Sequence, residues 1–230
     1  VATYNEEIKR VASQYNIQTL ITSSKHRNGT ERLLEVASKI NADYYINLQG
    51  DEPLIDPKDI EILIDNLIKM NEDIITLCHE ITEKEASDIS RVKLVCNLEN
   101  EAIYFSRNKI PFGELNYLQH IGIYGFKRKS LEIISNLKET RLEKLESLEQ
   151  LRWVENNLKI KVIPTKNEAI GVDTLNDLKE VEKILKFKQI KIIFSDVDGI
   201  LTDGRIWYGK TGEEIKAFHS RDGLAIKLLL

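Results

Sequence analysis

From residue 1 to residue 70 the chain alternates short apolar, β-branched runs with stretches whose apolar residues recur at helical spacing, and few folds accommodate that alternation. Val1-Ala2-Thr3 reads as the end of a strand, 5–15 as a helix with Ile8, Val11 and Ala12 on one face, and 17–22 as a second strand. A polar loop, Ser23-Ser24-Lys25-His26-Arg27-Asn28-Gly29-Thr30, then leads into a helix with a stripe of Leu33, Leu34, Ala37 and Ile40. Next comes Tyr44-Tyr45-Ile46-Asn47-Leu48-Gln49-Gly50-Asp51-Glu52-Pro53, an apolar run that stops at a carboxylate pair and reads as a central parallel strand. A helix over 57–70 follows, with Pro57 in its first turn, where a missing N–H costs nothing, and a stripe of Ile60, Leu63, Ile64, Leu67 and Ile68. Together these predict an α/β fold with a mostly parallel sheet. In such sheets ligands lie beyond the carboxyl ends of strands, which is where Asp51 falls.

The alternation then ceases. Strands are expected over 73–79, 92–96, 102–106 and 117–126, an antiparallel excursion able to roof a pocket or form a dimer contact. A helix over 141–157 and a strand over 160–164 come next. Thr174, with Asp177 three residues on, makes a capping-box pattern for a helix running to about residue 187. Past the basic joint Lys186-Phe187-Lys188, a strand over 190–195 opens a second unit, so the expected domains are 1–187 and 188–230.

The net charge of -4 over 230 residues argues against a nucleic-acid binder, so an anionic substrate would need local basic residues or a metal. Cys78 and Cys96 lie in apolar runs and read as core thiols of a reducing cytoplasm rather than as a disulfide. No apolar run of about 18 residues is present to span a membrane, and no secretory signal is visible. Because the sequence opens on Val1 without an initiator Met and closes on Leu228-Leu229-Leu230 in mid-pattern, pieces are expected to be missing at both ends.

Taken alone, Gln49-Gly50-Asp51-Glu52-Pro53 is an acidic turn, and such turns are usually solvated. Its company is more specific. His26-Arg27-Asn28-Gly29-Thr30-Glu31-Arg32, Tyr104-Phe105-Ser106-Arg107 with Ile110-Pro111, His120-Ile121-Gly122-Ile123-Tyr124, Leu148-Glu149-Gln150-Leu151-Arg152 and Val172-Asp173-Thr174 occur in order. These blocks closely resemble the 3-deoxy-manno-octulosonate cytidylyltransferases, the CMP-Kdo synthetases, over nearly all of 1–187. The resemblance implies a nucleotide-diphospho-sugar transferase-like fold and transfer of CMP from CTP to an acidic octulosonate, feeding lipopolysaccharide synthesis in the cytoplasm. It implies Mg²⁺ held by Asp51 and Asp173, since Mg²⁺ favours hard carboxylate oxygens. Asp173 would otherwise simply stabilise the positive end of the helix starting at Thr174. By the same resemblance Arg107 offers a bidentate fork to the sugar carboxylate, and Gln49, His120, Tyr124, Glu149 and Gln150 are sugar contacts. His120 read without it is a hydrogen-bonded strand histidine, and Glu149 with Arg152 a surface pair. Arg27, Gly29 and Thr30 fall where the cytosine-recognition loop of the family it resembles lies, against the alternative of a solvated arginine in a flexible loop. The family's initial Arg-, Gly- and Lys-containing phosphate loop has no counterpart in the sequence, so the segment is expected to be inactive by itself. A homo-oligomer is expected, a dimer through the first domain or a larger assembly through the second.

The second unit carries Ile192-Ile193-Phe194-Ser195-Asp196-Val197-Asp198-Gly199, an apolar strand delivering two aspartates into a glycine-containing loop. It resembles the first motif of the haloacid dehalogenase phosphatases, and with a hairpin expected around 209–212 and Arg221-Asp222-Gly223 it resembles the octulosonate 8-phosphate phosphatases. That implies Asp196 as nucleophile and Asp198 as general acid and base, both with Mg²⁺. The later motifs of that family do not occur before Leu230. The expectation is therefore a truncated Rossmann-like domain, either part of a phosphatase or a non-catalytic oligomerisation module.

Overall fold

The computed structural model describes residues 1–70, 72–167, 171–172, 174–188, 207–208 and 214–215. The chain forms two compact units, Val1–Val181 and Glu182–Leu230.

In the first unit, β1 (Ala2–Thr3) leads into α1 (Glu6–Gln14), whose first turn is capped by the Asn5 side chain accepting from the Glu7 and Ile8 amides. β2 (Leu20–Ile21) pairs in parallel with β1, making a small two-stranded sheet. Only Ala12 of the expected α1 stripe is buried; Ile8 and Val11 face solvent. α2 (Gly29–Lys39) is capped by Asn28 and is followed by β3 (Tyr44–Leu48) and α3 (Pro57–Lys69), whose cap is Asp56 ahead of Pro57. Then come β4 (Ile74–Thr82), the single turn α4 (Glu83–Ala86), β5 (Lys93–Cys96), β6 (Ala102–Ser106) and the long β7 (Asn116–Lys127). α5 (Arg128–Ser135), α6 (Arg141–Glu146), α7 (Gln150–Glu155) and β8 (Lys161–Pro164) follow, and α8 (Leu175–Lys188) begins in this unit and ends past its last residue, Val181.

β7 organises the main sheet, whose order is β6-β5-β7-β4-β8 with β3 also on β7. β4 runs antiparallel along nearly all of β7. On the other side β7 has two successive neighbours, β3 against residues Ile123 to Lys127 and β5 against Leu118 and Gln119. Of the main-sheet pairings only β4 with β8 is parallel, so the sheet is mixed rather than mostly parallel. β3 is likewise not a central parallel strand: it pairs antiparallel with β7 and leaves Tyr44 and Leu48 exposed. The helix that follows each early strand suggests parallel crossovers, but register is set by tertiary partners, here a later strand running the other way.

Helices cover both faces. α3 lays Leu63 and Leu67 on Ile75, Leu77, Ile121 and Ile123. It sits so close that a Cβ on Gly125 would lie 2.7 Å from Leu63 Cδ2. The opposite face holds the larger core, with Tyr45, Ile74, Phe105, Tyr124, Phe126, Leu131, Ile134 and Trp153. α5 within it was not expected, because it starts directly from β7 with no side chain capping Lys127.

The helix expected over 141–157 is two. α6 ends at Ser147, whose φ of 55° turns the backbone left-handed, and α7 begins three residues later. Arg152 reaches back to bond both Glu143 carboxylate oxygens, through Nε to Oε2 at 2.7 Å and through Nη2 to Oε1. Both residues are buried, and this ion pair replaces the surface pair of Glu149 with Arg152 as the local contact. In the second unit β9 (Trp207–Tyr208) pairs antiparallel with β10 (Glu214–Ile215), the hairpin expected there. Asp173, Asp196, Asp198 and the strand expected over 190–195 lie outside the described residues. No described helix is long and apolar enough to cross a membrane.

Candidate active site

The site lies where β7 passes from one neighbour to the next. β5 pairs with β7 only as far as Gln119 and β3 only from Ile123 onward, so between them the His120 amide donates to Val92 O at 2.8 Å while Ile121 and Gly122 face no strand on that edge. On the β4 side the register slips at the same place, Thr76 facing Tyr124 and Leu77 facing Ile121. Such a bulge frees backbone groups that need new partners. The Thr76 hydroxyl supplies one, 2.8 Å from Ile123 O and 2.9 Å from His120 Nε2. Since that hydroxyl has one proton and a carbonyl only accepts, the Nε2–H of His120 donates to Thr76 and Nδ1 is the bare nitrogen. Burial depresses the imidazole pKa to about 3, so His120 works as a neutral ring. The hydrogen-bonded strand histidine and the cleft residue are thus the same side chain.

The turn after β3 fills the gap. The Gly122 amide donates to Glu52 Oε1 at 3.2 Å. A Cβ on Gly122 would stand 3.0 Å from that oxygen and 3.5 Å from Gln49 Cδ, so glycine is what lets the 49–52 turn approach. The Val172 amide in turn donates to Asp51 O at 2.8 Å, bringing the segment that leads to Asp173 against the turn.

The resulting open cleft has a volume of about 760 Å³ and is lined by Gln49, Asp51, Arg107, His120, Tyr124, Glu149 and Gln150, with Arg27 and Gly29 from the start of α2. Its aromatic floor is continuous: His120 lies 5.3 Å from Phe105 and 5.1 Å from Tyr124, which meets Trp153 edge-on at 5.1 Å. The Tyr124 hydroxyl is buried without a hydrogen-bond partner, and burial, with Glu149 nearby, raises its pKa well above the ordinary value.

Thr30 lies behind the cleft wall, buried, and its hydroxyl donates to Glu149 Oε1 at 2.9 Å. Burial pushes the Glu149 carboxyl up to about 7, against the opposing pull of that hydrogen bond and of Arg152. Arg27 is not loose: Nε donates to Glu31 Oε1 at 2.8 Å and Nη1 lies 3.5 Å from Glu139. Burial would raise the Glu31 carboxyl, but its bonds from Arg27 prevail and lower it. His26 and Arg32 of the same block instead brace the loop, His26 on Glu35 at 2.6 Å and Arg32 on Thr22 at 2.5 Å. Arg107 spends Nε on Glu146 O and Nη1 on Ile89 O, and its amide donates to Glu146 Oε2.

Arg91, Glu52, Asn28 and Lys144 also line the cleft. Glu52 adjoins Asp51 in the sequence, whereas nothing in the sequence marks Arg91, because its place depends on Nη1 reaching Gln119 Oε1 at 2.8 Å on a separate strand. The described residues hold no group of three or more His, Cys, Asp or Glu side chains able to bind a metal.

A mixed sheet sandwiched by helices, with a polar cleft at a strand-end turn, defines an α/β fold of the nucleotide-diphospho-sugar transferase type. A chain from Bacillus anthracis assigned as a glucose-1-phosphate thymidylyltransferase shares the fold, with a TM-score of 0.60 at 16% identity over 85% of this chain and 77% of that one. The family profile described as cytidylyltransferase matches residues 1–160. The chain belongs to the cytidylyltransferase family and is a nucleotidyltransferase. It is 44% identical to a 3-deoxy-manno-octulosonate cytidylyltransferase of Fusobacterium nucleatum, over 84% of this chain and 81% of the relative. With the enzyme of that description from Escherichia coli it shares 39%, over 80% of this chain and 77% of the relative. A solved CMP:2-keto-3-deoxy-manno-octonic acid synthetase in complex with CTP superposes with a TM-score of 0.77 at 38% identity, covering 82% of this chain and 80% of that one.

Proposed function

We infer that this chain serves the transfer of CMP from CTP to 3-deoxy-manno-octulosonate, with release of pyrophosphate, in lipopolysaccharide synthesis. The observation that carries the reading is the cleft that gathers Gln49, Arg107, His120, Tyr124, Glu149 and Gln150 with Arg27 and Gly29, residues from five separate segments of the chain. The names of the relatives support the same substrates.

In the reaction a sugar hydroxyl oxygen bonds to the α-phosphorus, the bond from that phosphorus to the bridging oxygen of the β-phosphate breaks, and the hydroxyl proton is released. Arg107 keeps its Nη2 edge for the sugar carboxylate because Nε and Nη1 are committed to carbonyls. Neutral His120 offers Nδ1 as an acceptor for a sugar hydroxyl, and Tyr124 offers an unspent O–H donor. A protonated Glu149 can donate to the acceptor, while Gln49 and Gln150 present amides that read hydroxyls of either polarity. Gly29 and Thr30 open α2 and Arg27 precedes its cap Asn28, and this N-terminal end favours the anionic nucleotide.

Mg²⁺ is proposed at Asp51 with Asp173. The donor chemistry fits, because Mg²⁺ needs only one or two carboxylates plus waters and substrate phosphate, and Asp51 lines the cleft. Once bound, it would neutralise charge on the phosphate oxygens.

Incubating the full-length protein with CTP and, separately, the octulosonate, its 8-amino relative and sialic acid tests the reading. Pyrophosphate release with the octulosonate is expected, and turnover of sialic acid alone would overturn it. A second reading concerns 188–230, where the Asp196-Val197-Asp198-Gly199 sequence and the β9–β10 hairpin favour an octulosonate 8-phosphate phosphatase unit using Asp196 and Asp198. Phosphate release by the full-length protein that survives Asp196→Asn would exclude it.

A further inference from the structure

Among the cations at the cleft, Arg91 precedes β5 and Arg107 follows β6, and what joins their backbones is a third, Lys93. It opens β5 with no solvent exposure. Its Nζ donates to Asp88 O at 2.9 Å, Arg91 O at 2.5 Å and Arg107 O at 2.5 Å. An ammonium has three N–H donors and no acceptor, so its whole capacity is spent on main-chain oxygens of two distant segments. Burial lowers its pKa; Asp88 opposes that, while Arg107 and Arg91 reinforce it.

The bonds have a definite consequence for the cleft. Asp88 O and Arg91 O bracket Ile89 O, which is the acceptor for Arg107 Nη1 at 3.2 Å. Lys93 therefore fixes both the backbone that carries Arg107 and the carbonyl that orients its guanidinium. It also fixes the residue from which Arg91 reaches Gln119, next to His120. A buried charge with no carboxylate hydrogen-bonded to it is a costly staple for a fold. Two guanidinium groups and the Lys93 ammonium meet here, with Glu85 3.9 Å from Arg91 Nη1 and Glu146 accepting from the Arg107 amide as the nearby carboxylates.

We propose that Lys93 is a positioning residue for the acidic acceptor, acting through Arg107 and Arg91 to hold a preformed pair of guanidinium groups for the sugar carboxylate. This rests on the functional reading above. It assigns acceptor affinity to a residue that never touches the acceptor.

The test is Lys93→Met, which keeps the volume and removes the donors. The KM for the octulosonate should rise about tenfold or more, while kcat and the KM for CTP change by less than about twofold. In a background with both Arg91→Ala and Arg107→Ala the same substitution should add less than about twofold, because residues acting through one another are not additive. A crystal structure of Lys93→Met should show the Arg107 guanidinium off Ile89 O. An unchanged acceptor KM, an equal rise in the CTP KM, or an unmoved Arg107 overturns the proposal. Lys93→Gln, which keeps two donors, is the second variant, and loss of the folded state in both variants by thermal melting would also overturn it. The crystallographic arm needs no turnover, so a wild-type protein inactive on the octulosonate would sink only the functional reading.

Discussion

Replacing Glu149 by Gln tests the electrostatics of the cleft directly. The amide keeps an oxygen for the Thr30 hydroxyl, now 2.9 Å from Oε1, and removes the ionisable group. A carboxyl whose folded pKa is raised stabilises the fold while it is protonated. That contribution is whole below about 4.5, the unfolded value, and is lost as the pH climbs to about 7. At about 1.4 kcal/mol per pH unit, a rise from 4.5 to about 7 corresponds to about 3 kcal/mol of destabilisation at pH 8. Urea unfolding of both proteins at intervals from pH 5 to pH 8 measures it. Near pH 5 the two should differ by less than about 1 kcal/mol, and by pH 8 the Gln variant should be the more stable by about 3 kcal/mol. Glu35, whose carboxyl is held near 2 by its bonds from Lys39, Ser23 and His26, is common to both proteins and drops out of the difference. A stability difference that stays constant across this range would refute the assignment of Glu149 as a buried, protonated acid.

Gly122→Ala places a methyl 3.0 Å from Glu52 Oε1, so the 49–52 turn must shift. Turnover should fall about tenfold or more while urea stability drops by only about 1–3 kcal/mol. Arg152→Met leaves buried Glu143 without its cation and should cost about 3–5 kcal/mol in the same unfolding assay. Asp51→Asn should lower kcat/KM about 100-fold or more with little change in melting temperature, because the side chain lines the cleft on an exposed turn. Burial holds the Cys78 thiol near 12 and the Cys96 thiol near 11, so at pH 8 a thiol reagent should label the native protein far more slowly than the unfolded one.

Much of the cleft was legible because its residues sit at element boundaries. Apolar runs that stop at polar clusters mark the end of β3, the entry to α2 and the Thr174 start of α8, and these ends hold Gln49, Asp51, Arg27 and Gly29. The ordered motifs then supplied His120, Tyr124, Glu149, Gln150 and Arg107, all of which line the cleft. The break at Ser147 was hidden, because the apolar spacing of 141–157 continues through it and only the Glu143–Arg152 pair, formed between side chains nine residues apart, reveals the turn.

By itself the sequence determined most of the local elements, the family and the polar residue types that line the cleft, since these depend on periodicity, caps and short motifs. Tertiary structure alone decided strand direction, where β7 changes neighbours, and which polar side chains are buried. Those follow from contacts between residues far apart in the chain. The same contacts hold Glu149 near neutrality, make His120 a neutral acceptor and set Lys93 beneath the two arginines.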